Sequence, residues 1–194
     1  MPESGETRLV LYKEAPADLR RRFELLRSRA GLGTRPSPGE ASAQHDPALD
    51  AVSFYSCSDG DVVSYAAVVR KTITHDGHAF DIAGLSAVVT DPNLRNLGLG
   101  RRTVEAATRW MEQSGADFGV FTCDPPLARF YARAGAWPVA PNVVLVGNRS
   151  DAALRSDSLG KVVLMRLFSK RAHVAAPILT RATIDLDLPV GQFL

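Results

Sequence analysis

Apolar Leu9 and Leu11 alternate with other residues in the stretch RLVLYK, residues 8–13, and predict a first strand. The period then changes. In APADLRRRFELLRSR, Leu19, Phe23 and Leu26 recur at helical spacing while arginines fill the other face, which predicts a helix. AGLGTRPSPGEASAQHDPALD is rich in Gly, Pro, Ala and Ser and reads as a long loop, with a short helix near residues 47–50. Three strand-like runs follow, AVSFYSC, VVSYAAVVRKTIT and AFDIAGLSAVVT, separated by Asp59-Gly60 and Asp76-Gly77. Such dipeptides favour the positive φ angles of tight hairpin turns, so the three runs predict an antiparallel meander. Gly84 and Ser86 in the third run point to a bulge or a close backbone approach within the strand.

After Gly100 a helix runs to about Ser114, with Val104, Ala107, Thr108 and Met111 on its inner face. Arg101, Glu105, Arg109 and Glu112 form its outer face, and Glu105 and Arg109 are spaced as an i, i+4 pair. FGVFTC is a short buried strand; Asp124 and Pro125 then have the character of an N-cap and first helical residue for LARFYARA, which ends at Gly135. Residues 139–146, 161–167 and 183–188 are further strand candidates. The order βα, β meander, α-β-α-β-β reads as one domain, residues 1–194, around a mixed α/β sheet.

Composition narrows the class. The 194 residues are 45% hydrophobic and 23% charged, which is globular, and 23 basic against 21 acidic residues give a net charge of +2. That balance argues against a nucleic-acid binder. The N-terminal MPESGETRLV has no signal-peptide core, and no apolar run approaches the ~18 residues of a membrane span. The expectation is a cytoplasmic protein with no membrane association. Cys57 and Cys123 make no disulfide framework, and His75 and His78 bracket a hairpin turn, a poor metal motif.

The chemistry is concentrated in AVVTDPNLRNLGLGRR, residues 87–102, where a strand opens into Arg95-x-x-Gly98-x-Gly100 and a helix follows. Unpaired N–H groups at a helix N-terminus, approached without Cβ interference at the glycines, suit a phosphate or pyrophosphate. A Walker A loop would need Gly-Lys-Ser/Thr where Gly100-Arg101-Arg102 stands, and a dinucleotide fingerprint would need Gly at Thr103.

This loop, with Tyr131 and Gly135 in LARFYARAGAW, resembles the GNAT superfamily of N-acetyltransferases. The long hairpin, the N-terminal TRLVLYKEAPADLRRRF and the C-terminal LPVGQFL are similar to aminoglycoside 2'-N-acetyltransferases and, more distantly, to nodulation N-acyltransferases. The resemblance implies a mostly antiparallel mixed sheet of about seven strands flanked by helices and splayed at a CoA cleft. It implies acetyl-CoA as co-substrate, no metal, and a small, polycationic amine as acceptor, an aminoglycoside foremost. Homodimerisation is common in the family, and the sequence locates no interface.

By the same resemblance, backbone groups of Ala87, Val88 and Val89 pair with the pantetheine arm. The N–H groups of Asn96, Gly98, Leu99, Gly100 and Arg101 hold the pyrophosphate, with charge from Arg95 and Arg102, and Tyr131 is the acid for the departing thiolate. The related 2'-N-acetyltransferases carry a glutamate where Leu85 stands, beside Ser86. Candidates for the base are therefore Asp81, a water, or the carboxylate of Leu194; Gln192 stands where those relatives have an acid. Glu40, Asp46, Asp50, Ser86 and Asp124 are the candidate acceptor contacts. The alternatives are acylation of a polyamine, an amino sugar or a protein N-terminus, and a non-catalytic acyl-CoA sensor.

Overall fold

The computed structural model describes residues 6–32, 45, 49–150, 153–189 and 193–194. The chain forms two compact units, Met1–Val69 with Ser86–Ala107, and Arg70–Leu85 with Thr108–Leu194. The first contains strands β1 (Arg8–Leu11) and β2 (Val52–Ser58), helix α1 (Ala17–Arg29), and parts of β3 (Asp61–His75), β4 (His78–Thr90) and helix α2 (Leu99–Gln113). The second contains the remainder of β3, β4 and α2 together with β5 (Phe118–Cys123), α3 (Ala128–Gly135), β6 (Val144–Val146), β7 (Val162–Leu167), α4 (Lys170–Val174), α5 (Ala176–Leu179) and β8 (Thr183–Asp185).

In the first unit the strand order is β1-β2-β3-β4. The hairpin turns form as the sequence predicts, with positive φ at Asp59 and Gly60 and at Asp76 and Gly77. Phe23 and Leu26 of α1 are fully buried, and the Phe23 ring lies 4.4 Å from that of Tyr65 on β3. The Tyr65 hydroxyl is hydrogen bonded to Ser53 Oγ at 3.1 Å and to His45 Nε2 at 3.0 Å. His45, within the stretch read as a long loop, is only 3% exposed and meets the Tyr12 ring edge-on. Burial, with a smaller repulsion from Arg27, lowers its pKa from 6.5 to about 4. Of the short helix expected near residues 47–50, residues 47 and 48 lie outside the described residues.

In the second unit the order is β3-β4-β5-β7. The β4–β5 pair is parallel, through Ile82↔Phe118 and Ala83↔Gly119, while β5 and β7 pair antiparallel along the whole of β5. At the next residue of β4, a Cβ on Gly84 would lie 2.6 Å from Val120 O and 2.6 Å from Leu194 Cδ1, which only glycine avoids. The expected strand over 139–146 shrinks to β6 and an isolated bridge from Val139 to Leu164. Pro138 and Pro141 remove the backbone donors a longer ladder would need. The strand expected over 183–188 is limited to β8, since Asp187 takes φ +47. β6 and β8 form a separate parallel pair rather than joining the larger sheet.

Helices α4 and α5 are not visible in the hydrophobic period, because they span five and four residues. They are set instead by local chemistry: Ser169 Oγ accepts from Ala172 N–H at 3.0 Å, and Pro177 lies in the first turn of α5. On α2, Val104, Ala107 and Met111 are fully buried, as the period predicts. Its expected Glu105–Arg109 pair is replaced by Arg101–Glu105 at 2.7 Å, also i, i+4. Among the described residues no helix is long and apolar enough to cross a membrane.

Between pH 6.5 and about 4 an unfolded chain protonates His45 while the folded chain keeps it neutral. Stability therefore falls as pH drops through this window, by about 2–3 kcal/mol, from the general rule of 1.36 kcal/mol per pKa unit. Denaturant titrations at pH 7 and pH 4.5 should show the loss, and His45→Gln should remove most of its pH dependence.

Candidate active site

Helix α2 begins directly after the glycine turn. Arg102 N–H donates to Gly98 O at 3.0 Å and closes the first helical turn. The N–H groups of Leu99, Gly100 and Arg101 therefore have no intrahelical acceptor. Asn96 at φ +66 and Gly98 at φ +76 are left-handed, the alternation that turns successive N–H groups toward one side and makes an anion-binding concavity. The residues present thus fit a diphosphate: donors, the positive helix end, and a turn without bulk at Gly98 and Gly100. Arg95 is exposed. The Arg101 side chain is held by Glu105, so its contribution is the backbone N–H, and Arg102 Nη1 donates to Leu97 O at 3.4 Å.

The approach to the turn is fixed by Asp91, 5% exposed. Its N–H donates to Val63 O at 2.9 Å, its Oδ1 accepts from Asn93 N–H at 3.0 Å, and Arg29 lies 3.4 Å from Oδ2. Just upstream, the irregularity predicted in β4 lies at Ala87, with φ +52. A non-glycine residue in this region costs about 1–2 kcal/mol. Ser86, Ala87 and Val88 are half-buried and Val89 is buried.

In the second unit, Tyr131 on α3 is 7% exposed and meets the Phe121 ring edge-on at 4.9 Å. Burial raises the pKa of its phenol above the ordinary value, with smaller contributions from Cys123 and Asp124, so the hydroxyl is protonated at neutral pH. Cys123 is itself raised to about 11, chiefly by burial, and is a poor nucleophile at neutral pH. Gly135 is needed for close approach, since a Cβ there would lie 2.5 Å from Thr108 Oγ1 and 2.6 Å from Trp137 Nε1. Trp137 Nε1 donates to that same Thr108 Oγ1 at 2.9 Å. The left-handed cap of α3 falls one residue later, at Ala136.

The other predicted residues are dispersed. Asp81 is exposed on β4 and its Oδ1 accepts from Thr72 Oγ1 at 2.6 Å. Leu194 is 8% exposed, and its carbonyl oxygen accepts from Thr122 N–H at 3.1 Å and from the Thr122 hydroxyl. Asp124 does not cap a helix with its side chain; its carboxylate takes Lys161 Nζ at 2.6 Å. Asp50 takes Lys13 Nζ at 2.8 Å. Glu40, Asp46 and Gln192 lie outside the described residues. Leu85 is 3% exposed. Among the described residues no group of three or more His, Cys, Asp or Glu could hold a metal ion. Sequence reading did not find Thr122, whose signal is a single hydroxyl in an apolar strand, or the role of Asp91.

Comparisons with known proteins agree with this geometry. The model of the acetyltransferase (GNAT) family matches residues 20–136. The chain belongs to that family, whose class is the acyl-CoA-dependent N-acetyltransferases. Among solved structures it is similar to the Escherichia coli GNAT family N-acetyltransferase YhbS in complex with CoA, at 15% identity and TM-score 0.60 over 93% of this chain and 88% of that one. It is also similar to Escherichia coli ElaA, at 13% identity and TM-score 0.55 over 84% and 99%. Glucosamine-6-phosphate N-acetyltransferase from Arabidopsis thaliana matches at 17% identity and TM-score 0.51 over 69% and 91%. At these identities the likeness is one of fold. No curated protein sequence matches.

Ala87→Gly should relieve the left-handed strain and change stability by between zero and about +1 kcal/mol, the relief being partly offset by glycine's unfolded-state entropy. Ala87→Val, β-branched in the same conformation, should lower it by more than about 1 kcal/mol. Thermal denaturation of the two variants checks the pair.

Proposed function

We propose that this protein transfers the acetyl group of acetyl-CoA to a primary amine of a small polycationic molecule, an aminoglycoside foremost. The observation that carries the reading is the turn before α2, where free N–H groups of Leu99, Gly100 and Arg101 follow two left-handed residues. These groups, with Asn96 and Gly98, are assigned to the diphosphate, and Arg95 and Arg102 add charge. The co-substrate supplies a thioester whose carbonyl carbon is open to a neutral amine. Backbone groups of Ala87, Val88 and Val89 orient the arm that carries it, and a backbone N–H of this stretch polarises the carbonyl. Tyr131 holds its proton for the leaving sulfur. Because Leu85 replaces a carboxylate, the amine loses its proton to water.

The acceptor class rests on charge exchange. Asp50 and Asp124 are tied to Lys13 and Lys161 in exposed pairs. Exposed pairs of this kind contribute about 0–1 kcal/mol, so a molecule carrying several ammonium groups can replace the lysines at little cost. Each of these carboxylates is then a contact for an ammonium group of the acceptor.

Thiol release from acetyl-CoA should be saturable with aminoglycosides and weak with polyamines and amino sugars. Silence across that panel, in protein that binds CoA by calorimetry, would move the acceptor to a protein or another amine, or the reading to an acyl-CoA sensor. Tyr131→Phe keeps the ring packing and removes the proton; turnover should fall about 10²–10⁴-fold with CoA affinity retained. The raised phenol pKa means that the wild-type rate should show no alkaline limb from Tyr131 below about pH 10. An unchanged turnover in Tyr131→Phe would remove the residue from the mechanism.

A further inference from the structure

Three hydroxyl groups behind the glycine turn form a directed chain. Thr103 Oγ1, in the first turns of α2, donates to Leu99 O at 3.1 Å. A hydroxyl has one proton, so Thr103 must accept in its contact with Ser64 Oγ of β3, 2.8 Å away. Ser64 has then spent its own proton and must accept from Thr90 Oγ1, the last residue of β4, at 3.4 Å. The order Thr90 → Ser64 → Thr103 → Leu99 O follows from the carbonyl at its end. Ser64 and Thr103 are both fully buried.

The two threonines flank the turn: Thr90 ends the strand that enters it, and Thr103 lies in the helix that leaves it. Ser64 therefore holds both sides of the mouth of the turn from a single point on β3. Val63, its neighbour, accepts from Asp91 N–H at 2.9 Å and secures the same entry through the backbone. The chemistry here is unusual for a core. Buried hydroxyls contribute little net stability, and an apolar pair of similar shape serves packing as well. Ser56, opposite Ser64 in the β2–β3 register, is 1% exposed, and its hydroxyl has no partner among the described residues. Polar groups retained in such a place fix geometry in a way that apolar contacts, which slide, do not.

We propose that Ser64 and Thr103 are positioning residues for the diphosphate: they set the separation between the end of β4 and the first turn of α2, and so the convergence of the free N–H groups. This rests on the reading of the turn as the diphosphate site of acetyl-CoA. The prediction is specific to that part of the ligand. A change at Ser64 should weaken whatever contacts the turn and leave a ligand without phosphates unaffected.

The test is calorimetric binding of CoA, inorganic pyrophosphate and phosphate-free pantetheine to the intact chain and to Ser64→Ala, Thr103→Val and Thr103→Ser, with thermal melts alongside. Ser64→Ala and Thr103→Val should each weaken CoA and pyrophosphate about tenfold, since small misplacements of convergent groups are costly. Pantetheine affinity should stay within about twofold, and Thr103→Ser, which keeps the hydroxyl, should bind CoA as the wild type does. Wild-type CoA affinity in folded Ser64→Ala or Thr103→Val would overturn the proposal, as would an equal loss for pantetheine, which marks a general structural defect. Should one of these two fail to fold, the other with Thr103→Ser decides. Failure of the wild-type protein to bind CoA at all would instead overturn the functional reading.

Discussion

A backbone N–H group without an acceptor is an obligation that a fold must meet, and the first turn of α2 leaves Leu99, Gly100 and Arg101 with that obligation. Exposed to water, these donors cost little. Made to converge, they become a site for negative charge. The left-handed residues Asn96 and Gly98 perform that convergence, and Asp91, held by Arg29 and by Val63 O, fixes where the turn starts. The same peptide groups that cannot be satisfied within the helix are the groups that the proposed function assigns to the diphosphate.

Strand β4 follows a related logic. It accepts a left-handed residue at Ala87, at a cost, and its parallel pairing with β5 runs through Ile82 and Ala83. Past this point β5 still has donors facing away from β7, and one of them, Thr122 N–H, is taken by Leu194 O. The tyrosine of α3 is held by aromatic contact with Phe121 of β5, so the element that carries the irregular pairing also sets the environment of the proposed acid.

The family and the fold converge from independent directions, a model matched over residues 20–136 and solved structures below 20% identity. A fold retained at such identity reflects what its backbone does, and backbone groups do most of the binding proposed here. Acceptor choice belongs to side chains, and there the carboxylates of Asp50 and Asp124 sit in exposed lysine pairs.

The sequence by itself determined the local elements whose cause is local. The Asp-Gly turns, the period of α1 and α2 and the glycine turn are written in neighbouring residues, and each forms where its pattern lies. The resemblance carried by Arg95 to Gly100 and by Tyr131 named the family before any contact was known. Tertiary structure decided what depends on distant partners. His45 reads as a lone loop residue and is buried against Tyr65; Asp124 reads as a cap and is taken by Lys161; Glu105 chooses Arg101 over Arg109 at the same spacing. Ser64, Thr90 and Thr103 carry no pattern at all, because a hydroxyl's role is set by which single proton and which lone pairs meet in space. Periodicity reports which face is buried, and only the folded chain determines which polar groups find one another there.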